Sequence, residues 1–249
     1  MAGDPQRILI IGGTAEARAL AKRLAADGRY FPLTSLAGLT SAPEVIEGET
    51  RTGGFGGADG LARFIGDRGI ALVVDAAHPF ACRISTDVVE ACSSAGVPCL
   101  RLERPRWEMD GGDEWTRVPD LRAAAFAIPP DARALVTVGR TEIAAFFERG
   151  DVSILARMIE RPPETPPGHV EVMLSRPPYT LGQELTLMRS RDISVLVTKN
   201  SGGEATYPKL EAARELELPV IMIDRPGKPA MTTAETVDAL LPMIAERIG

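Results

Sequence analysis

The stretch Ile8-Leu-Ile-Ile-Gly-Gly-Thr-Ala-Glu-Ala17 joins a short apolar run to two glycines and to the start of a helical segment. A continuously apolar run is typical of a parallel strand that is covered on both faces of its sheet. Gly12 and Gly13 permit a tight turn, and Thr14 is a suitable cap for the helix that follows. The stretch therefore predicts a strand, a turn and a helix, the unit that begins many nucleotide-binding α/β folds.

Similar apolar runs recur along the chain and alternate with segments of helical pattern. The predicted strands are Arg7–Ile11, Phe31–Leu36, Ala71–Asp75, Pro98–Leu102, Ala134–Val138, Ser153–Ala156, Val170–Leu174, Val195–Lys199 and Pro219–Ile223. The predicted helices are Ala15–Asp27, Ala58–Asp67, Cys82–Ala95, Glu142–Phe147, Leu181–Arg191, Lys209–Leu216 and Thr233–Arg247, with a short one near Leu121–Ala127. This alternation is typical of βαβ units with right-handed crossovers.

The alternation lapses between Glu103 and Pro130, where prolines, glycines and charged residues prevail. We place a domain boundary there and expect two Rossmann-like α/β domains with parallel sheets, residues 1–128 and 129–249. Strand ends from both domains are then expected to face a ligand cleft between them. One continuous sheet is the alternative.

The composition limits the classes of function. The chain has 249 residues, 45% hydrophobic and 25% charged, as in globular proteins with a buried core. Its net charge of −6 argues against nucleic acid as a partner, because phosphate neutralisation needs a concentrated basic face. The sequence shows neither a secretion signal nor a membrane span. We therefore expect a cytoplasmic protein, monomeric or weakly homo-oligomeric, that acts on a small molecule away from membranes.

The three cysteines, Cys82, Cys92 and Cys99, lack the spacing of a zinc or dithiol site. We expect free thiols without a chemical role, and no bound metal.

Two segments of the first half suit a dinucleotide. Backbone N–H groups at the glycine turn and the following helix N-terminus favour a pyrophosphate, although a plain turn with a threonine cap is the alternative. The next strand ends in Thr34-Ser-Leu-Ala-Gly38 without a carboxylate. A carboxylate there would repel a 2′-phosphate, so its absence favours NADPH over NADH, unless the segment is a simple strand exit.

Two further segments of the first half suit a flat ligand. Thr52–Gly60 carries five glycines, which allow close approach of a ligand, or form a flexible connector. His78 and Phe80 follow a predicted strand, and the ring of Phe80 could stack on a nicotinamide or a pyrrole. A purely structural histidine is the alternative. The candidate cofactor-binding residues are Gly12, Gly13, Thr14, Glu16, Ser35, Gly38, Thr40, Gly54, Phe55, Gly56, His78 and Phe80.

The second set of candidates is cationic. Arginine binds carboxylates with two parallel hydrogen bonds and stacks on flat rings, so the run Arg101–Trp107 suits a polycarboxylate macrocycle; a solvated, salt-bridged linker is the alternative. The segment Val197–Lys209 can cradle an anion, unless it is an ordinary loop. The candidate substrate-binding residues are Arg101, Arg104, Arg106, Trp107, Gly139, Arg140, Lys199, Asn200, Ser201, Gly202, Gly203 and Lys209.

Six motifs, spread over nearly the whole chain, together resemble the precorrin-6A reductase family, which also exists in a cobalt-precorrin form. The motifs are Gly12-Gly-Thr-x-Glu16, Gly53-Gly-Phe-Gly-Gly57, Asp75-Ala-x-His-Pro-Phe-Ala81, Arg104-Pro-x-Trp107, Thr137-x-Gly-Arg140 and Lys199-Asn-Ser-Gly-Gly203. Two positions depart from the family pattern: Leu39 replaces its usual arginine, and Ala77 replaces its usual threonine.

The resemblance implies an N-terminal NADPH-binding domain and a C-terminal domain that contributes to substrate binding. It implies hydride transfer from NADPH to precorrin-6A, which reduces one carbon–carbon double bond of the macrocycle in cobalamin biosynthesis. In such a reaction the cofactor supplies the chemistry and the protein supplies orientation. The candidate proton donors are His78, Lys199 and bound water. Two other functions stay open, a nucleotide-sugar-dependent transferase and a non-catalytic protein that binds NADPH or a tetrapyrrole.

Overall fold

The computed structural model describes residues 4–38 and 46–249. Helices and strands are numbered in chain order. The chain divides into two compact units, which are described separately. The first unit comprises the described residues up to Pro105 together with Gly227–Gly249, and the second unit comprises Arg106–Pro226. Each unit contains one six-stranded sheet in which every recorded strand pair is parallel, which confirms the predicted fold class.

The sheet of the first unit has the strand order β12-β5-β4-β1-β2-β3. Its strands are β1 (Gln6–Ile11), β2 (Tyr30–Leu36), β3 (Glu49–Thr52), β4 (Ile70–Asp75), β5 (Cys99–Leu102) and β12 (Thr233–Ala234). Its helices are α1 (Ala15–Ala25), α2 (Ala58–Asp67), α3 (Cys82–Ala95) and α7 (Val237–Ile248).

The sheet of the second unit has the strand order β6-β11-β10-β7-β8-β9. Its strands are β6 (Trp115–Val118), β7 (Arg133–Thr137), β8 (Ser153–Met158), β9 (Val170–Leu174), β10 (Val195–Lys199) and β11 (Val220–Ile223). Its helices are α4 (Leu121–Ala127), α5 (Leu181–Ser190) and α6 (Pro208–Glu215), with short 3-10 helices at Ile143–Phe146 and Glu204–Thr206.

The apolar run of β1 is continuous because the strand is buried on both faces. Ile8 and Ile10 belong to a core that includes residues of α1 and α7. Leu9 and Ile11 point to the opposite face and belong to a core that includes residues of α2 and α3. Since successive side chains of a strand alternate between faces, every position of β1 from Ile8 to Ile11 must be apolar.

The sequence analysis did not predict three of the strands, and two predicted helices have a different start or type in the structure. β3, β6 and β12 lie at sheet edges and are short or polar, so they lack the apolar run that marks a central strand. The helix expected from Thr233 begins at Val237, after β12, with Thr236 as its cap. The helix expected over 142–147 is a 3-10 helix of four residues.

The division of the chain also differs from the boundary expected at residue 128. Residues 106–128 belong to the second unit because they contain β6, which pairs with β11, and α4, which contacts both strands. After β11 the chain returns to the first unit, where β12 pairs with β5 and α7 packs against α1. The local sequence pattern does not reveal this return of the chain, because the return depends on contacts between residues that are distant in the sequence. No helix of the described residues is long and apolar enough to span a lipid bilayer.

A buried ion pair in the second unit gives a test of the fold. Arg157 of β8 and Glu184 of α5 approach to 2.8 Å with side chains that are 5% and 0% exposed, and Arg157 also covers the ring of Tyr179. We expect Glu184→Leu to lower the free energy of unfolding by about 3–5 kcal/mol, because it leaves a buried guanidinium without its partner. Urea-induced unfolding measures this loss.

Two variants control that experiment. Arg157→Met combined with Glu184→Leu should recover most of the stability, because neither charge is then buried. Glu171→Gln removes the carboxylate of more exposed pairs with Arg191 and Arg133 and should change the free energy of unfolding by less than about 1 kcal/mol. Equal losses for Glu184→Leu and Glu171→Gln would contradict a special role of the buried pair.

Candidate functional site

In the first unit, the candidate segments lie together at one edge of the sheet. The glycine turn follows β1, Ser35 and Gly38 lie at and beyond the end of β2, and the glycine-rich loop follows β3. The segment with His78 and Phe80 follows β4, and Arg104 follows β5. Since these strands are parallel neighbours, their carboxyl ends share one edge, which is where open α/β sheets bind ligands.

The glycine turn is held on both sides and open in front. The N–H of Gly12 donates to the carbonyl of Ser35 at 2.9 Å, and a Cβ at Gly12 would lie 2.7 Å from Cγ2 of Thr34. The hydroxyl of Thr14 donates to the carbonyl of Ala76 at 2.9 Å and accepts from the N–H of Ala17 at 3.1 Å. Gly13 has a φ of +111°, and a Cβ built there would meet nothing within 4 Å. The turn therefore fits a phosphate group at the N-terminus of α1.

An arginine that the sequence analysis did not single out lies at the ends of β2 and β3. Arg51 donates to the hydroxyl of Ser35 at 2.7 Å and to the carbonyls of Gly53 and Gly54 at 2.9 and 3.1 Å. Its guanidinium lies 4.0 Å from the ring centre of Phe55. Partial burial lowers the pKa of Arg51 from its ordinary value. Arg51 lies opposite Ser35 because β3 pairs with β2. The sequence analysis did not predict β3, so it could not identify this neighbour.

The remaining candidates of this edge have simple placements. Gly38 has a φ of +74°, and a Cβ there would lie 3.0 Å from Cγ2 of Thr52. Gly56 also has a positive φ, and the space around its Cβ position is open. Thr40 and Leu39 lie outside the described residues.

His78 lies in the turn between β4 and α3, with its ring oriented by the chain. The N–H of Phe80 donates to Nδ1 of His78 at 3.3 Å, and the two ring centres are 5.9 Å apart. Because Nδ1 accepts this bond, the neutral ring carries its proton on Nε2. The side chain of Lys228, which the sequence analysis missed, donates to the carbonyl of His78 at 3.5 Å.

Three cations of the first unit, Arg101, Arg104 and Lys228, have carboxylate partners. Arg101 of β5 is buried and pairs at 3.2 Å with the buried Asp75, the last residue of β4. Arg104 pairs with Glu16 of α1 at 2.8 Å, so a candidate substrate residue contacts a candidate cofactor residue.

Lys228 donates to Glu103 at 2.6 Å. The sequence analysis had assigned the charges of Arg101 and Arg104 to substrate carboxylates, but carboxylates of the chain balance them. Arg101 orders the end of the sheet through its pair with Asp75.

In the second unit, Trp107 anchors the segment that follows β10. The side chain of Asn200 accepts from the N–H of Trp107 at 2.8 Å and donates to its carbonyl at 2.9 Å. The indole N–H donates to the carbonyl of Gly203 at 3.1 Å. Lys209 is buried, with Nζ 4.4 Å from the ring centre of Trp107. These four candidates therefore form one cluster, and Trp107 and Asn200 have an evident structural role.

Lys199 ends β10 next to a carboxylate that the sequence analysis missed. Its Nζ donates to Oε2 of Glu142 at 2.6 Å, and the N–H of Gly139 donates to the same oxygen at 2.7 Å. A Cβ at Gly139 would lie 2.7 Å from that oxygen, so a larger residue there would displace the carboxylate of Glu142. Lys199 is thus held over the loop that follows β7.

Four further candidates complete this edge of the second unit. Arg140 pairs with Glu160 at 3.3 Å, and Arg106 is exposed. The carbonyl of Ser201 accepts from Arg225 at 3.1 Å, and Gly202 has a φ of +68°. The structure thus brings the candidates of each unit to the strand ends of that unit, with His78 in the first and Lys199 in the second.

Known proteins resemble this chain over nearly its whole length. The sequence pattern of the family described as precorrin-6x reductase CbiJ/CobK matches residues 7–245. The chain belongs to this family. A relative from Sinorhizobium sp, named precorrin-6A reductase, is 44% identical over 97% of this chain and 94% of its own length. A relative of the same name from Rhodococcus erythropolis is 43% identical over 96% of both chains.

More distant members of the family cover the chain as completely. A cobalt-precorrin-6A reductase from Priestia megaterium is 30% identical over 94% of this chain and 98% of its own length. A solved structure of CobK precorrin-6A reductase has a TM-score of 0.92 and 39% identity, over 97% of both chains. The family resemblance drawn from the six motifs is therefore confirmed.

The role of Asn200 can be tested. We expect Asn200→Ala to lower the free energy of unfolding by about 2–4 kcal/mol, because it leaves a buried N–H and a buried carbonyl of Trp107 without partners. Urea-induced unfolding followed by tryptophan fluorescence measures the change. The control is Thr186→Ala, which removes an exposed hydroxyl on α5 and should cost less than about 0.5 kcal/mol. A loss in Asn200→Ala no greater than in the control would refute the anchoring role.

Proposed function

We propose that this chain is a precorrin-6A reductase that uses NADPH to reduce one carbon–carbon double bond of the macrocycle in cobalamin biosynthesis. The observation that carries the proposal is the 44% identity to a precorrin-6A reductase over 97% of the chain. The complete family match over residues 7–245 supports the same activity. The edge of the first sheet supports a dinucleotide cofactor, because its first turn is open and fits a phosphate.

We assign the binding of NADPH to the first unit. The bound cofactor supplies the hydride, and the residues of the chain supply position and charge. The backbone N–H groups of Gly13 and Thr14, at the start of α1, would hold the pyrophosphate, while Gly12 shapes the turn through its bond to Ser35. Phe80 offers a ring face beside His78 for a flat group. This assignment leaves the strand ends of the second unit to the substrate.

Reduction of a double bond requires a proton in addition to the hydride, and two residues are suited to provide it. Nε2 of His78 carries the proton of the neutral ring, because Nδ1 accepts from the chain. Lys199 carries an ammonium group, which is an N–H donor, at the end of β10 beside Glu142. We favour His78 as the proton donor and Lys199 as a residue that binds a substrate carboxylate, because a charged ammonium and a carboxylate form strong hydrogen bonds.

The activity is tested by anaerobic incubation of the protein with NADPH and precorrin-6A, with the absorbance of both chromophores recorded. We expect one NADPH to be oxidised for each macrocycle reduced, since one hydride reduces one double bond. The cobalt-containing substrate is assayed in parallel. Binding of NADPH without oxidation would favour a binding protein, and turnover of a nucleotide sugar would favour a transferase; either result would refute the proposal.

The role of Lys199 is tested by Lys199→Ala. We expect KM for the macrocycle to rise about ten- to a hundred-fold, the worth of a hydrogen bond between charged groups, while the Kd of NADPH stays within about two-fold. Steady-state kinetics and calorimetry measure the two quantities. Lys22→Ala, on the last turn of α1, is the control for loss of a lysine. An unchanged KM in Lys199→Ala would remove this residue from the substrate site.

A further inference from the structure

The end of β2 is the place where a nicotinamide dinucleotide fold distinguishes its two cofactors. In that fold the pyrophosphate lies at the first turn, and the adenosine ribose extends across the end of the second strand. Here the two places are adjacent, because the N–H of Gly12 bonds the carbonyl of Ser35 in β2. Residues that face Ser35 are therefore positioned to contact the 2′ substituent of the ribose.

The segment after β2 supplies no positive charge for a 2′-phosphate. Residues 34–50 contain neither lysine nor arginine. They also place no carboxylate at the strand end itself, where Thr34, Ser35 and Leu36 stand. A 2′-phosphate carries nearly two negative charges at neutral pH, and a buried or half-buried dianion requires a cationic partner. The cation must therefore come from another part of the chain.

Arg51 brings a guanidinium to this place from β3. It is the register partner of Ser35, and its Nη1 donates to the Ser35 hydroxyl at 2.7 Å. The carbonyls of Gly53 and Gly54 and the ring of Phe55 fix the plane of the guanidinium. The ring of Phe64 also lies under the guanidinium, 5.1 Å away. A side chain held by these contacts loses little entropy when it binds a ligand.

The contacts of Arg51 do not neutralise its positive charge, and they leave two of its N–H groups for a ligand. Within the described part of the chain its hydrogen-bond partners are a hydroxyl and two carbonyl oxygens, all of them neutral. These three bonds occupy three of the five N–H donors of the guanidinium. Most other arginines near this sheet are paired: Arg101, Arg104 and Arg68 each have a carboxylate.

We propose that Arg51 is the specificity-determining residue for the cofactor and binds the 2′-phosphate of NADPH, with the Ser35 hydroxyl beside it. This inference rests on the proposed function for the choice of cofactor. Arg51 selects against NADH because, without a 2′-phosphate, its partly desolvated charge gains no anionic partner. The partial burial that lowers its pKa also strengthens its attraction to an anion.

Binding of two mononucleotides tests the proposal without the macrocycle. Adenosine 2′,5′-bisphosphate carries the 2′-phosphate and adenosine 5′-monophosphate lacks it, and calorimetry gives the Kd of each. We expect the unaltered protein to prefer the bisphosphate. In Arg51→Gln this preference should fall about ten- to a hundred-fold, the worth of hydrogen bonds to a charged group, while the Kd of the monophosphate stays the same. Arg51→Lys keeps the charge and should lose part of the preference.

Arg68→Gln is the matched control. Arg68 belongs to the same unit and, like Arg51, lies over the ring of Phe64, but it pairs with Glu49 at the opposite end of β3. We expect this variant to bind both nucleotides as the unaltered protein does. A preference retained in Arg51→Gln would overturn the proposal, as would an equal loss of affinity for both nucleotides.

A second measurement keeps the proposal testable if Arg51→Gln does not fold. The unaltered protein is labelled with an arginine-selective dicarbonyl reagent, and the modified peptides are identified by mass spectrometry. We expect adenosine 2′,5′-bisphosphate to protect Arg51 while the monophosphate does not. Equal protection by both nucleotides, or by neither, would overturn the proposal. Neither experiment involves precorrin-6A, so failure to reduce the macrocycle would refute the proposed function and leave this result to stand separately.

Discussion

The N–H of Gly12 reaches the carbonyl of Ser35 because β1 and β2 run parallel and end at the same level. The hydroxyl of Thr14 reaches Ala76 for the same reason, on the side of β4. These contacts place the glycine turn between two loops that follow neighbouring strands. Parallel pairing thus brings residues together that are more than sixty positions apart in the chain. The chemistry of the first unit depends on this alignment, since a single antiparallel strand would carry its loop to the opposite edge.

The sequence was sufficient for the central strands and for the turns attached to them. β1, β4 and β10 are buried on both faces, so their apolar runs are continuous and visible without a structure. The edge strands β3, β6 and β12 were missed, unlike the edge strand β9, because half of their residues meet solvent and a run such as Glu49–Thr52 has no local signature. The domain boundary was misplaced for a related reason, because pairing of β12 with β5 leaves no mark near residue 128.

The candidate site, like the fold, was predicted only in part. Glycine-rich segments and strand-end cations were recognised by type, but their partners were not. Arg51, Glu142 and Lys228 each matter through a contact across the sheet or across a loop. The residues next to them in the sequence do not indicate these contacts. Conversely, Arg101 and Asn200 were chosen for their chemistry, and the structure shows them ordering the chain around them. Residue type indicates what a side chain can do, whereas packing decides which partner receives it.

The return of the chain to the first unit has a consequence for biosynthesis. The first sheet lacks β12 and α7 until residues 233–248 leave the ribosome, after the whole of residues 106–226 has emerged. Leu240 and Ile244 of α7 complete the same core as Ile8 and Ile10 of β1, so that core stays open to solvent on one side during translation. The second unit, in contrast, is continuous in the chain. During synthesis, the segment made first is therefore the one that acquires its final packing last.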